Sequence, residues 1–187
     1  MSHKEQWESI YRAETPTQVS WYQAHPSMSL RLIASTRTEK RQRIVDVGGG
    51  ASVLVDCLLE AGFSQLSVLD LSAAAIRQAQ SRLGPRASQI QWYDADVTRI
   101  RFPHRFELWH DRAVFHFLTC AADRQRYVRV LRQTLLPDRQ VIIATFALTG
   151  PEKCSGLDVM RYDALSICVQ LGDEFELIEE CADTHVT

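Results

Sequence analysis

The sequence predicts an α/β domain built on an open, mostly parallel sheet with helices on both faces. Three observations carry that expectation. Short apolar, β-branched runs alternate with longer helical patterns along the 187 residues, the rhythm of strands joined by crossover helices. The first run leads directly into DVGGGAS, residues 46–52, three consecutive glycines where a strand turns into a helix. An aspartate stands at or just past the end of each of the first three runs: Asp46, Asp70 and Asp96.

Each element follows in order. Two helical pieces, Glu5 to Ala13 and Ser27 to Ser35, precede the sheet and are joined by TPTQVSWYQAHP. The large residues Trp7, Tyr11, Trp21 and Tyr22 in this region suit either core packing or a cover over the ligand edge. Ile44 to Val47 is the first strand. Ala51 to Ala61 is a helix with Val53, Leu54, Leu58 and Leu59 on one face and Gly62 as its stop. Leu66 to Leu69 is the second strand, and Ser72 caps a helix that runs through Leu83 to Gly84-Pro85. Ile90 to Tyr93 and Phe106 to Trp109 are the third and fourth strands. A helix carrying Tyr127, Val128, Val130, Leu131 and Leu135 on one face ends before Pro137. Val141 to Ala147 is the fifth strand, Pro151 to Asp158 a loop, Asp163 to Leu171 a helix closed by Gly172, and Phe175 to Ile178 a sixth strand. The whole reads as one domain, with residues 1–40 as a helical cap and 41–187 as the α/β core.

Composition narrows the function classes. With 21 basic and 23 acidic residues the net charge is -2, so no overall positive field gathers nucleic acid or an anionic membrane. The 18 arginines and 3 lysines are scattered over several segments. Five cysteines show neither a CxxC pair nor an even count, which suggests neither zinc nor disulfides and fits a reducing cytoplasm. The amphipathic start MSHKEQWESIYR is unlike a signal peptide, and no stretch approaches the ~20 apolar residues of a membrane span. No metal, nucleic acid or membrane is expected as a partner.

In an open parallel sheet, ligands bind beyond the carboxyl ends of the strands. DVGGGAS lies there, with glycines that let the backbone approach and amides that favour a polar or negative group. A dinucleotide fingerprint needs a third small residue, and Val53 occupies that position, which argues against a nicotinamide cofactor. Asp70, 24 residues after Asp46, is suited to accept both hydroxyls of a ribose. Asp96, after the third strand, suits the exocyclic amine of an adenine. Asp46 is suited to meet a ligand's ammonium directly or through the loop.

Through IVDVGGGAS, VLDLS, DADVT, WHDRAVFHFLT, VIIATFA and GPEKCSGLDVMRYD, nearly the whole chain resembles the class I S-adenosylmethionine-dependent methyltransferases, and within them the methyltransferase-domain 12 type, a Rossmann-like fold. The resemblance implies that Asp46, Gly48 and Gly50, with Gly49 and Ser52 in the same loop, hold the methionine part of S-adenosylmethionine. It places Asp70, with Leu71 and Ser72, at the ribose, and Asp96 with Val97 at the adenine. S-adenosylhomocysteine is the expected product. The family sheet has a seventh, antiparallel strand. Only Glu179 to Thr187 follow the expected sixth, so that strand is expected to be missing or incomplete.

Methyl transfer is an in-line displacement, and much of its rate comes from holding the partners close and aligned. WHDRAVFHFLT follows the fourth strand, facing the methyl group in this architecture. His110 and His116 are candidate bases. Asp111 is a candidate to orient one of them or to bind the acceptor. Arg112 is placed either to pair with Asp111 or to hold a carboxylate of the acceptor. Trp21 in the cap, and Lys153, Cys154 and Arg161 on the glycine-containing loop after the fifth strand, are further acceptor contacts. The acceptor is expected to be a small molecule or a protein side chain. VSWYQ is similar to a stretch in protein lysine methyltransferases of the elongation-factor type, and a non-catalytic S-adenosylmethionine-binding module is a further alternative.

Overall fold

The computed structural model describes residues 2–13 and 21–184; the expected linker positions 14–20 and the end at 185–187 lie outside the described residues. Five parallel strands form one sheet: β1 (Arg43–Val47), β2 (Gln65–Asp70), β3 (Ile90–Asp94), β4 (Phe106–Arg112) and β5 (Leu135–Ala144), in the order β3-β2-β1-β4-β5. The order reverses beside β1, so the carboxyl ends of β1 and β4 open a crevice there.

The helices are α1 (His3–Ala13), α2 (Ser27–Ser35), α3 (Leu54–Glu60), α4 (Ala73–Leu83), α5 (Ala121–Thr134) and α6 (Ala164–Leu171). Successive strand residues face opposite sides of the sheet, and two cores result. On one side Ile44, Leu66, Val68 and Leu108 pack with Ile33 of α2 and Leu54, Val55 and Leu58 of α3. On the other Val45, Val47, Leu69 and Trp109 pack with Tyr127, Val128 and Leu131 of α5 and Leu171 of α6. The α4 start is fixed twice. Ser72 Oγ accepts from the amide of Ala75 at 3.2 Å, and Glu8 of α1 accepts from the amide of Ala74 at 3.2 Å. This second bond ties the N-terminal helix to the start of α4.

Three expectations are corrected. β5 begins at Leu135 rather than Val141 and ends at Ala144. Pairing jumps from Phe106↔Leu135 to Leu108↔Gln140, so Leu136 to Arg139 bulge from the ladder around Pro137, which has no N–H to give, and Asp138 at φ 57. The loop Pro151 to Asp158 contains a small hairpin, β6 (Lys153–Cys154) against β7 (Leu157–Asp158). Its turn residues Ser155 and Gly156 both have positive φ, 52 and 77, as a type I′ turn requires. The run Phe175 to Ile178 forms no strand. Arg132 of α5 pairs with Glu174 at 3.2 Å and Arg31 of α2 with Glu179 at 2.6 Å. These pairs tie its two flanks to α5 and α2, helices that pack in different cores. Strand propensity is realised only where a ladder partner is in register. Among the described residues no strand follows α6.

Candidate active site

The three glycines have separate steric reasons. Gly48 has φ +74, and a Cβ there would lie 2.2 Å from Val114 Cγ2. A Cβ on Gly49 would lie 2.2 Å from Asp46 Oδ2, and one on Gly50 2.6 Å from Asp70 Oδ2 and 2.7 Å from Ala75 Cβ. The turn is therefore pressed against both strand-end carboxylates.

Asp70 accepts from the amides of Gly50 at 2.9 Å and Ser72 at 2.8 Å. Burial pushes its carboxyl up to about 6 against the pull of those two amides. Asp96 is different: its half-exposed carboxylate accepts from the amide and hydroxyl of Thr98 at 2.8 and 2.7 Å, which closes the turn after β3. One open void borders Gly48, Asp70, Leu71, Asp96, Val97 and His110 at the strand ends and Trp7 and Trp21 of the N-terminal region, where it forms a cleft, and it continues along β5 and the segment after α6. Asp46, Gly49, Gly50 and Ser52 stand behind this lining and shape it.

The histidines and Asp111 do not form one cluster. β1 and β4 pair Asp46 with His110 and Val47 with Asp111, so His110 and Asp111 face opposite sides of the sheet. His110 Nδ1 lies 2.7 Å from Asp46 Oδ1, and its Nε2 lies 2.9 Å from Ser29 Oγ of α2. A carboxylate only accepts, so Nδ1–H donates to Asp46 and, in the neutral ring, Nε2 accepts from Ser29. Asp111 is fully buried, and burial pushes its carboxyl up to about 6. It accepts from Tyr127 Oη at 2.7 Å and from the amides of Val114 and Phe115 at 2.8 and 3.4 Å. Those bonds fold the turn after β4, in which Ala113 has φ 77. Asp111 orients neither histidine and makes no pair with Arg112, whose guanidinium donates to the Trp21 carbonyl at 3.2 Å.

His116 is 1% exposed, stacks on Phe146 at 4.8 Å and 10°, and has no hydrogen-bond partner on either ring nitrogen. Burial pulls its imidazole down to about 4, so the ring is neutral at physiological pH. It lines the cleft with Phe117, and Phe117 meets Trp7 edge-on at 5.1 Å. Trp7 meets Trp21 at 5.5 Å, and Trp21 Nε1 donates to Tyr11 Oη at 3.2 Å. Lys153 is exposed and pairs with Asp158 at 3.4 Å, while Arg161 pairs with Glu152 at 3.1 Å. Of these two, Lys153 borders the cleft. Ser29, Tyr127, Phe117 and Phe146 were not singled out as site residues from sequence. SMSLRL reads as an ordinary helix, and Tyr127 falls on the apolar face of one.

A family model described as a methyltransferase domain matches residues 44–138, from the start of β1 into β5. The chain belongs to this methyltransferase family. The match starts at the glycine turn's own strand and includes Asp46, Asp70, Asp96, His110, Asp111 and His116. Among curated proteins the methyltransferase is similar to the eEF1A lysine and N-terminal methyltransferase of Mus musculus, with 24% identity over 97 residues, 52% of this chain and 14% of that protein. It thus spans a small part of that relative's length. Among solved structures it is similar to the glycopeptide N-methyltransferase MtfA complexed with S-adenosyl-L-homocysteine. There the TM-score is 0.59 at 16% identity, over 68% of this chain and 55% of that one. A sugar N-methyltransferase from Streptoalloteichus sp. gives a TM-score of 0.57 at 17% identity, over 79% of this chain and 57% of that one. At these identities the likeness is one of fold, and it agrees with the class I methyltransferase architecture expected from the sequence.

Proposed function

We propose that the chain binds S-adenosylmethionine in the cleft beyond β1, β2 and β3 and transfers its methyl group to a small-molecule or protein acceptor. The observation that carries this reading is the glycine turn seated between Asp46 and Asp70, with Asp70 and Asp96 opening on one cleft. When bound, the cofactor supplies an electrophilic methyl group on a sulfonium. In this reading Asp46, Gly48, Gly49, Gly50 and Ser52 shape the methionine end, Asp70, Leu71 and Ser72 the ribose end, and Asp96 and Val97 the adenine end. The unpartnered Asp46 Oδ2 and the steric limits at Gly48 to Gly50 fit a ligand that brings a cationic group close to the backbone. In this reading the described N-terminal residues, 2–13 and 21–40, act as a cap over this edge, and 41–184 supply the α/β core.

Of the acid-base candidates, His116 is the one whose ring nitrogens are uncommitted. Burial pulls its imidazole down to about 4, so the neutral ring is suited to accept a hydrogen bond from an acceptor N–H or O–H rather than to carry off its proton. His110 has both nitrogens in use, and Asp111 supports the turn that carries His116. Trp21 and Phe117 wall the acceptor side. Arg112 has further donors free for an acceptor carboxylate, and Lys153 stands at the rim. Arg161 belongs to the outer loop. Free thiols at all five cysteines suit a cytoplasmic protein, and no described helix is long and apolar enough to cross a membrane.

A protein lysine acceptor is the second reading, favoured by the mouse relative. Both readings, and a module that merely retains the cofactor, separate in one experiment. Purified protein is incubated with methyl-labelled S-adenosylmethionine and panels of small amines, hydroxyl compounds and lysine-containing proteins, and label transfer is followed. Transfer that His116→Gln cuts at least tenfold, with cofactor affinity unchanged, supports the catalyst. Binding of cofactor with no transfer to any panel points to the module.

A further inference from the structure

Two hydrogen bonds connect the helical cap to the glycine turn through the interior of the sheet. Ser29 on α2 reaches His110 on β4 at 2.9 Å, and His110 reaches Asp46 on β1 at 2.7 Å. Ser29, His110 and Asp46 are 6%, 2% and 4% exposed, so water does not compete for these bonds. The chain ends in an oxygen that lacks a partner: Asp46 Oδ2 is buried and makes no hydrogen bond. That oxygen lies against the glycine turn, where a Cβ on Gly49 would stand 2.2 Å from it.

A buried carboxylate oxygen without a donor is costly, and a fold keeps one where something else supplies the positive charge. The turn beside it is the part of the site assigned above to the methionine end of the cofactor, which carries an ammonium group. We propose that Ser29 and His110 are positioning residues that hold Asp46 toward that end, so that recognition of the cofactor's amino-acid portion depends on the docked α2 helix. This rests on the cofactor reading of the site. Rotating the imidazole away would swing Asp46 Oδ1 free and let Oδ2 leave the turn. The Ser29 bond fixes the ring against that rotation and sets its tautomer. Neither residue exchanges a proton with the acceptor in this role.

The test compares two ligands that share the adenosine and thioether but differ in the amino-acid end: S-adenosylhomocysteine has it and 5′-methylthioadenosine does not. Affinities for both are measured by calorimetry on the full chain, as wild type, Ser29→Ala, Ser29→Thr and His110→Asn. Alanine suits a helix well, so Ser29→Ala is expected to fold, and a melting curve verifies it. Ser29→Ala and His110→Asn are expected to weaken S-adenosylhomocysteine about tenfold, in line with the loss of a hydrogen bond serving a charged group. Methylthioadenosine is expected to stay within about twofold. Ser29→Thr, which keeps the hydroxyl, restores the first affinity. Equal weakening of both ligands would reveal a packing defect and overturn the proposal, and so would variants that bind like wild type. Failure of the wild type to bind S-adenosylhomocysteine would instead overturn the cofactor reading itself.

Discussion

Replacing Gly50 with alanine tests the central geometric claim, that the glycine turn is pressed onto Asp70. A methyl there would stand 2.6 Å from Asp70 Oδ2, 2.8 Å from its Cγ and 2.7 Å from Ala75 Cβ. Carbon atoms pack best at about 3.5–4.0 Å, so roughly 1 Å of movement is required. Neither neighbour is free to give it. Asp70 is pinned by the amides of Gly50 and Ser72, and Ala75 is fully buried in the first turn of α4. Overpacking of this kind costs about 1–3 kcal/mol, and displacing the Gly50 amide from a carboxylate adds about 1 kcal/mol. For a domain of this size, a total near 3 kcal/mol corresponds to a fall in Tm of roughly 6–12 °C. Gly62→Ala is the control, because Gly62 has φ +88 but nothing within 4 Å of an added Cβ. It carries only the backbone cost of about 1 kcal/mol, or roughly 2–4 °C. Thermal melts of both variants, alone and with S-adenosylhomocysteine at about 100 times its Kd, read the result; that ligand excess stabilises a binding-competent chain by about 2.7 kcal/mol. Gly62→Ala is expected to keep the ligand response and Gly50→Ala to lose it. If Gly50→Ala melts no lower than Gly62→Ala and still responds to ligand, the turn is not packed as described and the argument fails.

Two further outcomes follow from the buried polar groups. Tyr127→Phe removes a hydroxyl that accepts from Trp109 Nε1 at 2.8 Å and donates to Asp111 at 2.7 Å; stranding both partners is expected to cost about 2–4 kcal/mol, and a chemical-denaturation change below about 0.5 kcal/mol would contradict the role given to Asp111. Burial raises both Asp70 and Asp111 from 3.8 to about 6, so each favours folding while protonated. That contribution is complete below the unfolded value and is lost as pH rises through about 6. Ribose hydroxyls donating to ionised Asp70 would oppose this at that one site, so the Tm gain produced by S-adenosylhomocysteine should grow between pH 5 and 7 in the wild type and lose that slope in Asp70→Asn. A gain independent of pH in the wild type would remove Asp70 from the cofactor site.

Much of the fold was legible because strand and helix periods are local. The helix capped by Ser72 and the two helices ahead of the sheet lie where their patterns put them. The losses came where long-range partners decide. Phe175 to Ile178 has a strand's composition, but ion pairs from two helices hold its ends and no ladder is offered. Pro137 and Asp138 sit inside the β5 region because four residues can bulge from its pairing with β4, a matter of register that one strand's sequence does not contain. The site shows the same division. The glycine turn and the three strand-end aspartates could be read directly, since position in the chain is position at the sheet edge. What each side chain bonds could not. Adjacent His110 and Asp111 resemble a catalytic pair in sequence, but the pleat sends them into different cores.

The three aspartates show why residue type at a strand end does not by itself assign chemistry. All three stand at the carboxyl edge, yet their surroundings give them different tasks. Asp96, half exposed and bonded to the Thr98 amide and hydroxyl, keeps lone pairs in contact with the cleft while closing its own turn. Asp70, bonded to two backbone amides, holds the glycine turn against α4, and its burial makes its ionisation sensitive to whatever donates to it next. Asp46 is the most dependent of the three. One oxygen is committed to His110 and the other has no partner, so its geometry is set from α2 through a ring it does not adjoin in sequence. If the cofactor occupies this cleft as proposed, the adenine end meets a group that is already satisfied and solvated. The methionine end meets one whose position the N-terminal cap controls. Detaching that cap should therefore weaken recognition of the amino-acid end before it affects the nucleoside end, and that ordering distinguishes a cap that positions a carboxylate from one that only shields the site from water.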